Sequence, residues 1–229
     1  MVRNLSSSIM ADGTQSKCRA VCLISGSGTN LQAIIESINN KSLNIDLISV
    51  ISDNPMAKGI QRAEKEGIDT KIIDYSTFED RKEFDKSVEI QMLDLNPDLI
   101  ILAGYMKILD TNFCNIFAGK ILNIHPSLLP KYKGLNTHQK VIDNNEKYHG
   151  ASVHFVVPEL DDGPVIIQYQ CEVDKNDDHH SLQKKVLQGE YIIYSKALRW
   201  FSENRLVFDS GNIFLDGEAL LKPRLIRKD

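Results

Sequence analysis

The stretch Pro97-Asp98-Leu99-Ile100-Ile101-Leu102-Ala103-Gly104-Tyr105 decides the fold class. Its middle is apolar at every position, so neither face suits water. An antiparallel strand with one wet face would alternate; a continuous apolar run belongs at the centre of a parallel sheet covered on both sides. Toward the N-terminus, AVCLIS (Ala20–Ser25), IDLISVIS (Ile45–Ser52) and TKIIDYS (Thr70–Ser76) are further strand candidates. Helical patterns separate them. Leu31, Ile34 and Ile35 repeat at helical spacing, KGIQRAEKEG stops at the capping Gly67, and Phe84, Val88, Met92 and Leu95 line one side of a helix within Phe78–Leu95. Toward the C-terminus, Leu109–Phe117 reads as a short helix, ILNIHPS (Ile121–Ser127) as a fifth strand and LLPKYKGLNTH (Leu128–His138) as a loop. ASVHFVV and PVIIQYQCEV are strands joined through PELDDG, a long helix covers Asp178 to Ser202, and RLVFDSG with NIFLDG forms a terminal hairpin. This order predicts an α/β fold: a doubly wound, mostly parallel sheet with antiparallel strands towards the C-terminus.

Composition narrows the function classes. Of 229 residues, 42% are hydrophobic and 25% charged, which excludes a wholly disordered or collagen-like chain. Lys+Arg 27 against Asp+Glu 31 leaves a net charge of −4, with no positive excess for a nucleic-acid partner. No apolar run approaches the ~20 residues of a membrane span, and the N-terminus lacks the apolar core of a secretory signal. Cys18, Cys22, Cys114 and Cys171 form no C-x-x-C pair, so neither a structural zinc site nor a disulfide framework is expected. The expectation is a cytoplasmic chain acting on small molecules without a metal, as a monomer or homodimer. Residues 1–17, polar and Ser-rich, read as a flexible extension, and 18–229 as a single domain.

In such sheets ligands bind beyond the carboxyl ends of the strands. One such place is the loop Gly26-Ser27-Gly28-Thr29-Asn30, between a strand and a helix. Glycines let backbone approach an anion, and the N–H groups at a helix start attract phosphate. Leu31 stands where the dinucleotide fingerprint requires a third glycine, and the P-loop Gly-Lys-Ser/Thr is missing. A single phosphate fits better than a pyrophosphate; the alternative is a tight turn with no ligand. A second place is Asn123-Ile124-His125-Pro126-Ser127, where alternation puts Asn123 and His125 on one face. An amide donor beside an imidazole suits a developing oxyanion, and the imidazole also moves protons. No Ser or Cys nucleophile motif accompanies them, which leaves the nucleophile to a substrate. The competing reading is a polar strand end with a histidine hydrogen-bonded in the fold.

Glu159-Leu160-Asp161-Asp162-Gly163 offers a carboxylate to pair with His125, Asp161 being preferred to Asp162 although spacing does not separate them; otherwise it is a solvated acidic turn. Glu190 falls inside the apolar stripe of Leu182, Val186, Ile193 and Ala197, and a carboxylate on a buried face needs a partner, either a structural cation or a ligand. His154 reads as structural or pocket-lining, His138 and His149 as loop or surface groups. His179 and His180, being adjacent on a helix, cannot both face one metal.

Together, VCLISGSGTNLQAIIES, DLIILAGYMKIL, NIHPSLLPKYKGLNTHQ and GASVHFVVPELDDGPVIIQ resemble the phosphoribosylglycinamide formyltransferases, within the wider folate formyltransferase group. That resemblance implies formyl transfer from 10-formyltetrahydrofolate, as co-substrate, to the amine of 5'-phosphoribosylglycinamide in purine (IMP) biosynthesis. It implies a catalytic trio of Asn123, His125 and Asp161, with a protonated His125 and Asn123 stabilising the oxyanion and Asp161 keeping His125 charged. It assigns the ribotide to Gly28, Thr29, Asn30, Leu187, Gln188, Gly189 and Glu190. It assigns the folate to Arg81, Met106, Lys107, Ile108, Leu109, Asn123, Val157, Pro158, Glu159, Leu160 and Asp161. Lys107 stands where arginine is frequent, and Gly189 where a polar residue is frequent. The rivals are a formyltetrahydrofolate hydrolase, expected to carry an extra N-terminal regulatory domain; a tRNA formyltransferase, expected to be more basic and longer at its C-terminus; a nicotinamide-dependent oxidoreductase, which Leu31 disfavours; and a non-catalytic phosphoribosyl-ligand sensor.

Overall fold

The computed structural model describes residues 16–228. Apart from Ser16 and Lys17, the expected N-terminal extension lies outside the described residues. In chain order the elements are β1 (Cys18–Ile24), α1 (Thr29–Asn39), β2 (Ile45–Ser52), α2 (Lys58–Lys65), β3 (Thr70–Ile72), α3 (Arg81–Leu95), β4 (Leu99–Leu102), α4 (Thr111–Ile116), β5 (Ile121–His125), α5 (Thr137–Asp143), β6 (Tyr148–Phe155), β7 (Val165–Glu172), α6 (His179–Ser202), β8 (Leu206–Asp209), β9 (Asn212–Leu215), β10 (Glu218–Ala219) and β11 (Arg224–Arg227).

The main sheet runs β11-β7-β6-β5-β4-β1-β2-β3. From β3 to β5 all pairings are parallel, β6 is antiparallel to both β5 and β7, and β11 returns parallel to β7. Strands β8, β9 and β10 form a separate antiparallel sheet. The mostly parallel sheet with antiparallel C-terminal strands is thus the architecture observed.

The apolar run that decided the class sits next to the centre. Leu99, Ile100 and Ile101 are fully buried, and the strand feeds both cores. Leu99 and Ile101 join Ala20, Cys22, Ile24, Val186 and Ile193 on one face, whereas Ile100 joins Val21, Leu23, Phe84, Val88 and Met92 on the other. Period-two alternation in β1 and β4 splits the same apolar runs between two layers of helices, which is why no polar residue interrupts them. Helix α6 starts with a capping box between Asp178 and Ser181 and lays its apolar stripe over the first core. The hydroxyl of its Tyr194 lies 2.9 Å from the carbonyls of both Leu102 and Leu122, tying the ends of β4 and β5 beneath the cavity described below.

Three segments differ from the sequence expectation. TKIIDYS is a strand only over Thr70–Ile72; Asp74 then caps a 3-10 turn, its carboxylate accepting from the Ser76 N–H at 2.9 Å. The segment read as a loop runs into helix α5, which buries Thr137, His138 and Val141. The C-terminal Arg-Leu-Ile-Arg, which no prediction covered, becomes edge strand β11.

Candidate active site

Strand order reverses at β1, which lies between β2 and β4, and the chain opens a crevice there. The two loops beyond it are pinned together: the Ser25 N–H donates to the Gly104 carbonyl at 3.0 Å, and the Met106 N–H donates to Ser25 Oγ at 2.8 Å. Gly28 then turns the chain into α1 at φ 68, and no side chain caps the helix. The first N–H groups of α1 therefore keep no intrahelical acceptor. They face a hollow of about 260 Å³ lined by Ser25 to Asn30, Ala103, Gly104 and Met106. The glycine is required twice over, by its left-handed φ and by the approach of α2: a Cβ at position 28 would stand 2.6 Å from Gly59 Cα. Gly28→Ala should therefore displace the turn, lowering thermal stability and abolishing phosphate-dependent protection against melting; unaltered protection would show that the turn does not hold the anion.

Beside this hollow lies a cavity of about 690 Å³ whose wall includes Thr29, Asn30, Asn123, His125, His154, Asp161 and Glu190. The ends of β4, β5 and β6 and the loops 103–110, 126–136 and 156–164 that follow them converge here. His125 closes β5 and is 6% exposed. A carbonyl only accepts, so its Nε2–H donates to Tyr132 O at 2.9 Å, while Nδ1 lies 3.4 Å from Asp161 Oδ2. That carboxylate oxygen also accepts from the Gly134 N–H at 2.9 Å. Asp162, by contrast, pairs with Lys133 near the surface, so the structure separates the two neighbouring acids: Asp161 faces the imidazole and Asp162 does not.

Asn123 pairs across the sheet with His154. His154 Nδ1–H donates to the Phe155 carbonyl at 2.8 Å, leaving Nε2 as the acceptor for the Asn123 Nδ2–H at 3.1 Å. Burial pushes the His154 imidazole down to about 4, so it stays neutral near pH 7 and keeps that lone pair. One Asn123 proton is thereby fixed on the histidine, and the amide oxygen is kept from flipping into its place. The sequence reading had His154 as structural or pocket-lining; its contact with Asn123 depends on strand register, which residue spacing alone does not reveal.

Glu190 sits on the inner face of α6, 8% exposed, and its Oε2 accepts from Asn30 Nδ2 at 2.7 Å. Burial raises its pKa, partly offset by that hydrogen bond. Asn30 Oδ1 is buried with no hydrogen-bond partner among the described residues. An orphan acceptor beside a buried carboxylate suits a ligand bearing hydroxyl or ammonium donors. Leu187 also lines the cavity, but Gln188 is exposed and Gly189 packs against Tyr169, where a Cβ would meet the ring at 1.9 Å.

On the opposite wall, Met106, Lys107, Ile108, Leu109, Val157, Pro158, Glu159 and Leu160 all line the cavity. Arg81 is not in the lining; it donates to the Ile108 carbonyl and lies 3.2 Å from Asp85. His138 and His149 are not loop or surface groups. They are 7% and 1% exposed, His138 Nδ1 lies 2.9 Å from His149 Nε2, and burial pushes the two rings down to about 4 and about 3. Helix α5 carries His138 inward, which the loop assignment could not foresee. Among the described residues no group of three or more His, Cys, Asp or Glu side chains could hold a metal ion, and no helix is long and apolar enough to cross a membrane.

Comparison with known proteins bears on the family and the fold. Residues 18–198 match the formyl transferase family. The chain is 40% identical over 200 residues to the phosphoribosylglycinamide formyltransferase of Escherichia coli K12, covering 87% of this chain and 94% of that one. It is 42% identical over 200 residues to the Haemophilus influenzae enzyme of the same name, again covering 87% and 94%. The solved phosphoribosylglycinamide formyltransferase of Coxiella burnetii superposes with a TM-score of 0.87 at 41% identity, covering 92% of this chain and 99% of that one. A formyltetrahydrofolate deformylase from Pseudomonas putida superposes with a TM-score of 0.78 at 24% identity, over 87% and 70%, a likeness of fold alone.

Proposed function

Because the chain belongs to the formyl transferase family, we propose that it transfers the formyl group of 10-formyltetrahydrofolate to the amine of 5'-phosphoribosylglycinamide, by direct attack of that amine. Formyl transfer in purine biosynthesis follows from the relatives, which align over nearly their whole length. One observation carries the assignment of roles: amide, imidazole and carboxylate meet at a single cavity between the uncapped start of α1 and the Met106–Leu109 wall. No serine or cysteine lines it among the described residues, in keeping with a nucleophile supplied by the substrate.

The ribotide phosphate takes the free N–H groups of Thr29 and Asn30, and its sugar and amine end lie against Asn30 and Glu190. The pterin fills the apolar side between Leu109 and the Val157–Asp161 loop. The amine lone pair attacks the formyl carbon, and the carbonyl π pair moves onto oxygen. Asn123 Nδ2–H and His125 Nε2–H stabilise that oxyanion. Asp161 stands as counter-charge to the imidazolium. In the structure described here the Tyr132 carbonyl holds the Nε2 proton, so the substrate oxygen displaces it. The ammonium proton then passes through water in the cavity to the folate nitrogen, the C–N bond to folate breaks, and the formyl C=O re-forms on the new amide.

Purified protein should consume 10-formyltetrahydrofolate only when the ribotide is present; loss of formyl folate without ribotide would make it a hydrolase instead. Glu190→Gln should raise the ribotide dissociation constant by about tenfold or more, the value of a hydrogen bond to a charged group, with a smaller change in kcat. The effect should have a pH signature. Because burial raises the Glu190 pKa, its charged form is lost at a less acidic pH than for an exposed glutamate, so wild-type ribotide affinity should fall on mild acidification and that of the Gln variant should not. An unchanged dissociation constant measured by titration calorimetry would return Glu190 to a structural role.

A further inference from the structure

One carboxylate beside the cavity takes no part in the chemistry above. Asp53 follows the end of β2, and its side chain is only 5% exposed. Its Oδ2 lies 3.8 Å from Lys107 Nζ, and its Oδ1 is buried without a hydrogen-bond partner among the described residues. The Lys107 ammonium in turn sits 3.6 Å from the centre of the Tyr75 ring. Tyr75 is itself anchored to the same residue, its N–H donating to the Asp53 carbonyl at 3.1 Å. Although Lys107 lines the cavity, its charge is drawn between a buried carboxylate and an aromatic face. The neighbouring cation is engaged as well, Arg81 lying 3.2 Å from Asp85. Each of these two cations thus lies beside a carboxylate.

A buried carboxylate with an unsatisfied oxygen is costly, and an ion pair at 3.8 Å is too long to be a hydrogen bond. The backbone bond from the Tyr75 N–H uses the carbonyl of residue 53, which an amide side chain would leave in place. We infer that Asp53 is a specificity-determining residue. By holding and neutralising Lys107, it withholds that cation from the acidic glutamate tail of the folate, so that the co-substrate is selected by its ring system and not by the charge of its tail. This rests on the proposed placement of the folate along Met106–Leu109.

The test compares KM for 10-formyltetrahydrofolate with KM for an analogue ending at the p-aminobenzoyl group, at low and high salt, in the wild-type enzyme, in Asp53→Asn and in Lys107→Gln. Asp53→Asn keeps the side-chain shape and frees the ammonium. It should lower KM for the glutamate-bearing folate by about five- to tenfold at low salt, lose that gain at high salt and leave the truncated analogue unaffected, as expected for an exposed, screened charge. Combining Lys107→Gln with Asp53→Asn should remove that gain, because the freed ammonium is then absent. A ratio of the two KM values that stays constant or rises in Asp53→Asn would overturn the inference. So would a several-fold loss for the glutamate-bearing folate alone in Lys107→Gln, a result that decides the matter even if the Asp53 variant fails to fold. A wild-type enzyme that consumes neither folate in the presence of ribotide would instead remove the placement of the folate, and the inference with it.

Discussion

His125→Ala is expected to lower kcat by at least about 10³-fold while leaving ribotide affinity within about threefold. Loss of one oxyanion donor costs about 10² to 10³ in turnover, and His125 is in this proposal also the group whose positive charge faces the oxyanion, which places the loss at the upper end of that range. Ribotide binding should survive because its proposed contacts lie elsewhere, at the start of α1 and at Glu190 on α6. The variant also leaves Asp161, 8% exposed at its side chain, without the ring 3.4 Å away. A modest fall in melting temperature should accompany the catalytic loss and be distinguishable from it by intact ribotide binding. Turnover within about tenfold of wild type would remove His125 from the chemistry.

Asp161→Asn should cost about 10² or more in kcat. The carboxylate is the counter-charge that faces the imidazole, its Oδ2 3.4 Å from His125 Nδ1, and a neutral amide cannot supply that charge behind the proposed oxyanion donor. The substitution spares the loop: Oδ2 also accepts from the Gly134 N–H at 2.9 Å, and the asparagine oxygen can retain that bond. Ribotide affinity and melting temperature should therefore stay near wild type while kcat falls. A variant that loses ribotide binding and melting temperature along with turnover would show that Asp161 acts on the loop and not on the imidazole.

What was legible in the sequence, and what was not, follows from how local each signal is. The apolar runs of β1 and β4 predict a sheet covered on both faces because burial on two sides is written into every position of the run. Glu190 could be singled out because one carboxylate among Leu182, Val186, Ile193 and Ala197 breaks a period that is otherwise unbroken. The folded arrangement adds its partner, Asn30, 160 positions away. Asp161 and Asp162 could not be separated by spacing, since adjacent residues of a turn differ only in direction; in the fold the Asp161 side chain is 8% exposed and that of Asp162 54%. Helix α5 was missed because Gly134 and Asn136 punctuate its approach and only one aliphatic residue, Val141, marks its buried side. With α5 unseen, His138 and His149 were placed outside, whereas the helix packs one against the other. Strand β11 was missed for a different reason: Arg224 and Arg227 bracket its two aliphatic residues, and its parallel partner β7 lies more than 50 positions earlier. An edge strand with charged ends looks like a tail until its partner is known.

The central claim is that the cavity holds one oxyanion while a substrate amine, and no group of the protein, attacks the formyl carbon. A single-turnover experiment with formyl-labelled 10-formyltetrahydrofolate, excess enzyme and ribotide tests it most directly. All label should pass to the ribotide in one step, with none on the acid-quenched protein at any time and none released as formate. Label trapped on the protein, or formate formed at the expense of formylated ribotide, would contradict the account.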